Sequence, residues 1–246
     1  MKHLYKYQLQ ARYILCIFLL NTTFIALANN QENDFRRIQI GVNFSPDFCY
    51  RTLSGDDYNI RSEREEARFG YTGGFIVSFN HNQKCGIESG IQYSNKGFRT
   101  QKEYPQIDCS DPPCSFNNEW HRFVYNFHYI EIPLKARITI GQQKVRFLMG
   151  LGLTPSFLAK ATNTIQHYDG KKDISSNYTG DYNRFNLFAT ISVGVDYKIT
   201  PKSSIRVEPV FQYGIWNLTK VKEESNLISE YLWSAGVNLS YLIGIK

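Results

Sequence analysis

The 246-residue sequence lacks the features that identify metal-binding proteins, nucleic-acid-binding proteins and helical membrane proteins. It holds five cysteines and five histidines, and these form no cluster with the spacing of metal ligands. The net charge is only +6, and it falls to +3 without the first 28 residues, which contain three basic and no acidic side chains. So mild a balance does not predict nucleic-acid binding. Beyond the N-terminus, no apolar run is long enough for a membrane-spanning helix.

The N-terminal 28 residues are typical of an export signal. A basic region, an apolar core and an A-x-A cleavage site follow one another as Lys2, Lys6 and Arg12, then Ile14 to Leu20, then Ala26-Leu27-Ala28. Cleavage is therefore predicted between Ala28 and Asn29. The alternative, an uncleaved anchor, is disfavoured because Asn21 to Thr23 interrupt the apolar run before it reaches about 20 residues. Residues 29–35 are then a short periplasmic segment, and residues 36–246 form one domain.

The last segment, YLWSAGVNLSYLIGIK at 231–246, is apolar at every odd position and mostly small or polar at the even ones. A period of two indicates a β-strand with a different environment on each face. Seven earlier segments share the pattern, which predicts eight strands near 37–44, 69–80, 86–93, 129–138, 145–154, 185–199, 205–215 and 231–246.

The connections between these strands alternate in length. Tight polar turns are predicted at 81–83, 141–143 and 200–203, and long loops at 50–67, 100–121, 162–182 and 220–230. Short and long connections at opposite ends of an even-stranded meander are typical of bacterial outer-membrane barrels. Both termini are then periplasmic, and the four long loops are extracellular.

The composition of the two faces indicates which one is lipid-exposed. A soluble lipocalin-like barrel is the alternative, with its apolar face around a ligand. Here the polar face is rich in glycine, serine, threonine and charges of both signs, which suits a narrow lumen, whereas the apolar face is bulky and nearly uncharged. We therefore predict an all-β, eight-stranded, antiparallel up-and-down transmembrane β-barrel. Its aromatic girdles are predicted from Tyr71, Tyr93, Tyr129, Tyr213, Trp216 and Trp233.

Charged residues recur on the predicted inward face. They are Glu88, Glu131, Lys135, Arg137, Arg146, Asp196, Lys198, Arg206 and Glu208. A conduction path is one interpretation. The favoured one is an interior polar network of ion pairs, because an eight-stranded barrel is just wide enough for its own side chains and buried charges must be paired.

Proline and cysteine add local expectations. Pro133 lies within a predicted strand of a closed barrel, so we predict a β-bulge there. A local disulfide is predicted between Cys109 and Cys114 in the second long loop, because an exported chain meets an oxidising compartment. Cys49 and Cys85 fall at opposite ends of their strands, too far apart to pair, and are predicted to be free.

Catalysis is the main competing class of function. Some eight-stranded outer-membrane barrels modify lipids with a histidine, a serine and an acid. The local candidates here are His121 and His128 with Glu119, but no nucleophile has a recognisable setting. The prediction is therefore no enzyme, no metal and no cofactor.

A resemblance supports the barrel. Tyr129-Ile130-Glu131-Ile132-Pro133-Leu134-Lys135 is similar to the Y-[LI]-E-I-P-L segment of the PorT-like family, among the small outer-membrane β-barrel proteins of Bacteroidota. Ile40 to Ser45, Phe69 to Phe75 and the last strand also fit, so the resemblance covers about 36–246. It implies location in a bacterial outer membrane and, for PorT-like members, a link to protein secretion.

The predicted function is that of a monomeric structural or interaction protein that acts through its extracellular loops. The alternatives are an accessory component of a secretion system and, third, a lipid-modifying enzyme. The expected partners are outer-membrane lipid and lipopolysaccharide, with secretion or surface partners at loops 50–67, 100–121, 162–182 and 220–230.

Overall fold

Ten β-strands build the part of the chain that the computed structural model describes, residues 36–54, 64–102, 120–141, 144–168, 171–220 and 229–245. A 3-10 turn, Thr179–Asp181, is the one helical element in these ranges. The strands are β1 (Ile38–Ser54), β2 (Glu65–Asn80), β3 (Cys85–Thr100), β4 (His121–Glu131), β5 (Leu134–Ile140), β6 (Val145–His167), β7 (Ile174–Asn177), β8 (Phe185–Lys198), β9 (Ser203–Gly214) and β10 (Ser229–Gly244).

The strands close into an antiparallel ring. Its order is β1, β2, β3, then β4 with β5, then β6, β8, β9 and β10, which pairs back onto β1. Closure leaves no strand edge in the wall, and this is required in hydrocarbon, where an unpaired amide has no water to bind. The predicted all-β antiparallel barrel is confirmed.

The predicted number of eight strands is slightly off, because the described residues contain ten. β4 and β5 share one position in the ring, since both pair with β3 and with β6. β7 has four residues and pairs with β6 beyond the end of β8. It thus lies in the third predicted long loop, where the polar sequence contains no clear alternation.

The two ends of the barrel differ as the connection lengths predict. The short-turn end carries the connections from β2 to β3, β5 to β6 and β8 to β9, together with the start of β1 and the end of β10. The long-loop end carries the connections after β1, β3, β6 and β9. β6 has 23 residues, about twice the 9–11 that a tilted transmembrane strand needs. Its last part therefore continues beyond the lipid-facing band, where it pairs with β4 and β7.

The strand break at Pro133 is not a bulge, and this prediction is wrong. The register with β3 is the same for Glu131 and Leu134, on either side of the proline, and so is the register with β6. Proline has no N–H to donate. It interrupts the ladder for two residues without inserting an extra one, and the Ile132 N–H still donates to the Pro155 carbonyl at 2.9 Å.

Register shifts do occur, but nearer the long-loop end. The β4–β6 pairing shifts between His128 and Tyr129, and the β2–β3 pairing shifts between Ala67 and Tyr71. Gly97 on β3 has a φ of +155°, and a Cβ there would collide with the Tyr125 carbonyl of β4. The extra residue at each of the two register shifts bends its strand and increases the local twist.

The outer face of the wall is apolar. On β10 the predicted orientation is confirmed, since Leu232 and Leu242 are buried while the odd-numbered set from Val237 to Ile245 is exposed. The exposed apolar side chains of the neighbouring strands continue this band, for example Phe75 at 71% and Leu151 at 68% exposure. Such a surface suits lipid rather than water.

Several predictions fall outside the described residues. These are the signal peptide 1–28 with its cleavage site at Ala28 and Asn29, the segment 29–35, Glu119, and the Cys109–Cys114 disulfide. Cys49 and Cys85 are described, and both are free. Within the described ranges, no helix combines the length and apolar character that crossing a membrane would need.

Candidate functional site: the barrel lumen

A network of buried charges fills the lumen towards the short-turn end. Its centre is Glu88 on β3, whose two carboxylate oxygens contact three cations. Lys135 Nζ lies 2.9 Å from Oε1, Arg137 Nη1 lies 3.3 Å from Oε2, and Arg206 Nη1 also bonds to Oε2. Arg206 is 1% exposed, so its charge is tolerated only because carboxylates surround it.

The network continues from Arg206 on β9 to the neighbouring strands β8 and β6. Arg206 Nε lies 3.7 Å from Asp196 Oδ1, and Asp196 also accepts hydrogen bonds from Arg146. Glu208 contacts Lys135 at 3.4 Å and Arg206 at 3.7 Å. Four cations and three carboxylates are thus linked by contacts that cross the lumen.

Glycines on the inward face make room for these long side chains. A Cβ added at Gly150 would lie 2.8 Å from Lys135 Cδ, and one at Gly194 would lie 2.7 Å from Glu208 Cγ. Contacts this short require a neighbour to move. The small residues of the polar face therefore provide the space into which the charged ones extend.

The structure brings together most of the predicted network and separates two of its members. The residues in mutual contact are Glu88, Lys135, Arg137, Arg146, Asp196, Arg206 and Glu208. Lys198 lies at the short-turn end, where it lines the mouth of the lumen. Glu131 lies further along the lumen and pairs with Lys96, and both side chains are fully buried.

Lys96 was missed because the third strand was predicted to end near residue 93. The strand continues to Thr100, and Ser94, Lys96 and Phe98 keep the inward parity of Glu88. The sequence from Ser94 to Arg99 does not alternate between apolar and polar residues, so the pattern gave no signal that the strand continues.

A small polar cavity adjoins the network, since Glu88 and Lys135 are among the residues that line it. Pro133 lines it, together with hydroxyl and amide side chains. Of its two acidic lining residues, Glu88 belongs to the network, and Asp47 accepts hydrogen bonds from Ser45 at 2.6 Å and Thr72 at 2.5 Å. Neutral donors thus hold the Asp47 carboxylate.

An apolar plug, which we define by its eight buried residues, fills the lumen towards the long-loop end. They are Phe98, Phe127, Tyr129, Leu158, Ala161, Phe188, Leu218 and Leu232. Cations border it, since Arg51 Cζ lies 3.8 Å from the Phe98 ring centroid and Lys96 Nζ lies 4.2 Å from that of Phe188. Cation–π contacts of this kind are strongest when they are desolvated.

Tyr129 corrects the predicted aromatic girdle. Its side chain is fully buried and packs edge-to-face on Phe188 inside the lumen. Tyr71, Tyr93 and Trp216 are exposed on the outer face, as predicted, and Tyr213 and Trp233 are partly exposed. The same alternate residues of β4 point into the lumen along the whole strand. What changes is the part of the lumen that they meet, which is polar at one end of the strand and apolar at the other.

Ion pairs tie the strand ends together at the long-loop end. Arg51 of β1 binds Glu65 of β2 and, at 2.8 Å, Glu230 of β10. Glu66 contacts Arg99 at 3.2 Å and Arg122 at 3.3 Å. These ion pairs therefore link β1, β2, β3, β4 and β10, which flank the first, second and fourth long connections.

Tyr182 covers the plug from the third long connection. Its ring meets that of Phe127 edge-to-face at 4.8 Å, and the segment is anchored by the Tyr182–Thr219 bridge. Burial raises the pKa of the Tyr182 phenol above its ordinary value, and the negative charge of Glu230 raises it further. The phenol is therefore neutral at physiological pH.

The two described histidines of the catalytic hypothesis do not converge. His121 packs edge-to-face on Phe123, and His128 lies seven residues along the strand, on the opposite parity. His128 Nδ1 is 2.5 Å from the Tyr93 hydroxyl. In the described part of the chain, no three His, Cys, Asp or Glu side chains are placed to hold a metal ion.

Comparison with known proteins agrees with this architecture. Residues 27–220 match the family model described as "Outer membrane protein beta-barrel domain". Among curated proteins, no sequence matches this chain.

Solved structures of other outer-membrane proteins are similar in fold. Neisserial surface protein A (NspA) is 10% identical over 85% of this chain and 97% of its own, with a TM-score of 0.45. OprG from Pseudomonas aeruginosa is 8% identical over 87% and 100%, with a TM-score of 0.42. The protease OmpT from Escherichia coli is 11% identical over 85% and 96%, with a TM-score of 0.38.

Proposed function

The chain belongs to the outer membrane protein beta-barrel domain family, and from that premise we propose that it is a closed, non-conducting barrel that acts as a structural and interaction protein through its long-loop end. The filled lumen carries this proposal. The charge network, the Lys96–Glu131 pair and the apolar plug occupy successive levels, and apart from Arg146 each consists of side chains that are almost completely buried.

The long-loop end supports the interaction role. Arg51 joins the ends of three strands, so the long connections leave from a rigid base. β6 continues past the lipid-facing band and carries β7 with it, and all four residues of β7 are exposed. Polar surface loops on a rigid scaffold often carry recognition.

Lipid and lipopolysaccharide are proposed partners of the outer wall. The exposed apolar band suits acyl chains. Where this band ends on β4 and β6, His128 pairs with the exposed Lys160. An exposed cation at this level is suited to contact the phosphates of lipopolysaccharide.

The finer assignments remain hypotheses. Membership in a PorT-like group of Bacteroidota and a role in secretion gain no support from the comparisons. A lipid-modifying activity gains none from the separated positions of His121 and His128. The placement of the long-loop end outside the cell follows the usual orientation of such barrels.

Recording from the purified protein in planar bilayers tests the closed lumen. We expect no steady conductance from wild type, with a large porin reconstituted in the same way as the positive control. A steady open channel in wild type, from protein that migrates as a folded barrel, would contradict the proposal.

Site-specific photo-crosslinking on intact cells tests the interaction role. A photoreactive residue at Tyr178, which is 44% exposed at the long-loop end, is expected to give discrete adducts. The same residue at Lys84, in a turn at the other end, is the matched control. Equal adduct patterns at the two positions, or none at Tyr178, would argue against recognition through the long-loop end.

A further inference from the structure

We propose that the outer wall holds a binding site for a lipid phosphate where the apolar band ends towards the long loops, and that its ligand is the lipid A part of lipopolysaccharide. The residues that carry the site are Lys160 of β6, His128 of β4 and Tyr93 of β3, on the outer face of the wall. This assignment rests on the proposed outward orientation of the long-loop end, and it gives the lipopolysaccharide contact of the wall a defined position.

A bulge in β6 turns Lys160 outward. Leu158 faces the lumen and is buried, so regular alternation would point Lys160 into the lumen as well. The register with β4 shifts by one residue here, and Ala159 is the extra residue in this pairing. Lys160 therefore lies opposite the outward-facing His128, and Ala161 is buried in its place. Bulges are frequent next to functional sites, where they redirect a side chain.

A hydrogen bond holds the imidazole of His128 in place. Its Nδ1 lies 2.5 Å from the Tyr93 hydroxyl, and the two rings stack with their centroids 5.9 Å apart. Tyr71 continues the row, with its ring centroid 6.1 Å from that of Tyr93. When the Tyr93 hydroxyl donates to Nδ1, the proton of the neutral imidazole is on Nε2, which can then donate to a ligand. The ammonium of Lys160 supplies further donors beside it.

The positive charge at this site is not balanced by a carboxylate within the described ranges. Neither the exposed Lys160 nor the buried Arg68 is in an ion pair there. The Arg68 guanidinium binds only neutral oxygens, which belong to the side chains of Asn95 and Asn126 and to two backbone carbonyls. Asn95 lies directly opposite His128, so this buried charge borders the site without reaching a ligand. Two unbalanced cations favour an anion at the wall.

The surroundings indicate a phosphate that is attached to a lipid. Next to the site the wall continues with exposed apolar side chains, among them Ile130 on β4 and Phe157 on β6, and these suit acyl chains. The several oxygens of a phosphate can accept from the Lys160 ammonium and from the His128 imidazole together. Lipid A combines phosphates with several acyl chains and is confined to the outer leaflet, which the long-loop end faces in the proposed orientation.

The test is a titration of the folded barrel with purified lipid A in a neutral maltoside detergent, followed by native mass spectrometry. Lipid A is expected to bind wild type in a saturable manner. Lipid A without its phosphates is expected to bind about tenfold more weakly or worse, because the charge-assisted hydrogen bonds are lost. Phosphatidylglycerol, titrated in a third arm, is expected to bind more weakly than lipid A.

Matched variants separate the site from general attraction. Lys160→Gln removes the exposed ammonium and is expected to weaken lipid A binding about tenfold. Lys160→Arg keeps the charge and is expected to bind within about twofold of wild type. The control is Lys172→Gln, which removes an exposed charge beside β7 at the same end of the barrel, and it is expected to change binding less than about twofold.

Three results would overturn the proposal. The first is the absence of saturable lipid A binding to wild type. The second is an affinity for dephosphorylated lipid A or for phosphatidylglycerol equal to that for lipid A, and the third is an equal loss in Lys160→Gln and Lys172→Gln. Heat-dependent gel mobility confirms that each variant is folded before it is titrated. Binding to the wall in detergent depends neither on the closed lumen nor on the loops, which the bilayer recordings and the crosslinks test separately.

Discussion

Breaking the Lys96–Glu131 pair is the sharpest test of how the interior is held together. Both side chains are fully buried, and Lys96 Nζ bonds directly to Glu131 Oε1. Ser94 Oγ donates to the same oxygen at 2.7 Å, while Glu131 Oε2 has no partner among the described residues. Replacing Lys96 with methionine keeps most of the side-chain volume and removes the charge, so the carboxylate stays buried with one neutral donor.

The expected loss follows from the cost of an uncompensated buried charge. Removing one partner of a buried ion pair typically costs about 3–5 kcal/mol of unfolding free energy. Lys96→Met also removes the contact of the ammonium with the Phe188 ring, 4.2 Å away, which places the loss towards the upper part of that range. The double variant Lys96→Met/Glu131→Gln keeps an acceptor for Ser94 and removes both charges, so it is expected to recover most of the loss.

Urea unfolding of the barrel in lipid vesicles, followed by tryptophan fluorescence, measures these differences. The matched control is Arg99→Met, which removes one partner of the Arg99–Glu66 pair, where both side chains are more than a third exposed. Exposed pairs contribute about 0–1 kcal/mol. If Lys96→Met costs no more than Arg99→Met, or if the double variant is no more stable than the single one, the reasoning about buried charges is refuted.

Two further substitutions test the lipid-facing band and the packed lumen. Leu151 is 68% exposed on the outer face, and Leu151→Arg is expected to cost about 2–4 kcal/mol of unfolding free energy in vesicles. Leu151→Ala is the control for lost side-chain volume. If both variants lose the same amount of unfolding free energy, this position does not face hydrocarbon. Gly150→Ala is expected to lower the urea midpoint of unfolding, because the added methyl would lie 2.8 Å from the Cδ of Lys135. The control is Gly180→Ala, where no heavy atom lies within 4 Å of the added methyl, and it is expected to leave the midpoint unchanged. Equal midpoints for the two alanine variants would show that the lumen is loosely packed.

The strands of the barrel wall were predictable because the pattern that identifies them depends only on residues that are neighbours in the sequence. A strand exposes alternate residues to lipid and to the lumen, so the apolar parity of 231–246 assigned the faces without knowledge of any partner strand. The alternating connection lengths then assigned the ends. Most of the charge network was predictable for the same reason, since a narrow lumen must pair the charges that point into it.

The plug end of the lumen was not predictable from parity, because there the apolar residues of β4 point inward. Phe127 and Tyr129 are buried and alternate with the polar Asn126 and His128, whereas from Ile130 onward the apolar residues point outward. The same change of environment was interpreted as a bulge at Pro133. Only the positions of neighbouring strands distinguish an apolar plug from a change of face, and those positions are long-range information.

The filled lumen has a consequence for where function can be located. Each level of the interior is closed by a different chemistry, first ion pairs, then the isolated Lys96–Glu131 pair, then the apolar plug. Opening a path through all three would leave buried charges unpaired and apolar surface wet, each at a cost of several kcal/mol. If the lumen is closed as proposed, the shaft of the barrel is a rigid spacer, and the ion-paired base of the long loops is a surface on which a partner can act without disturbing the fold.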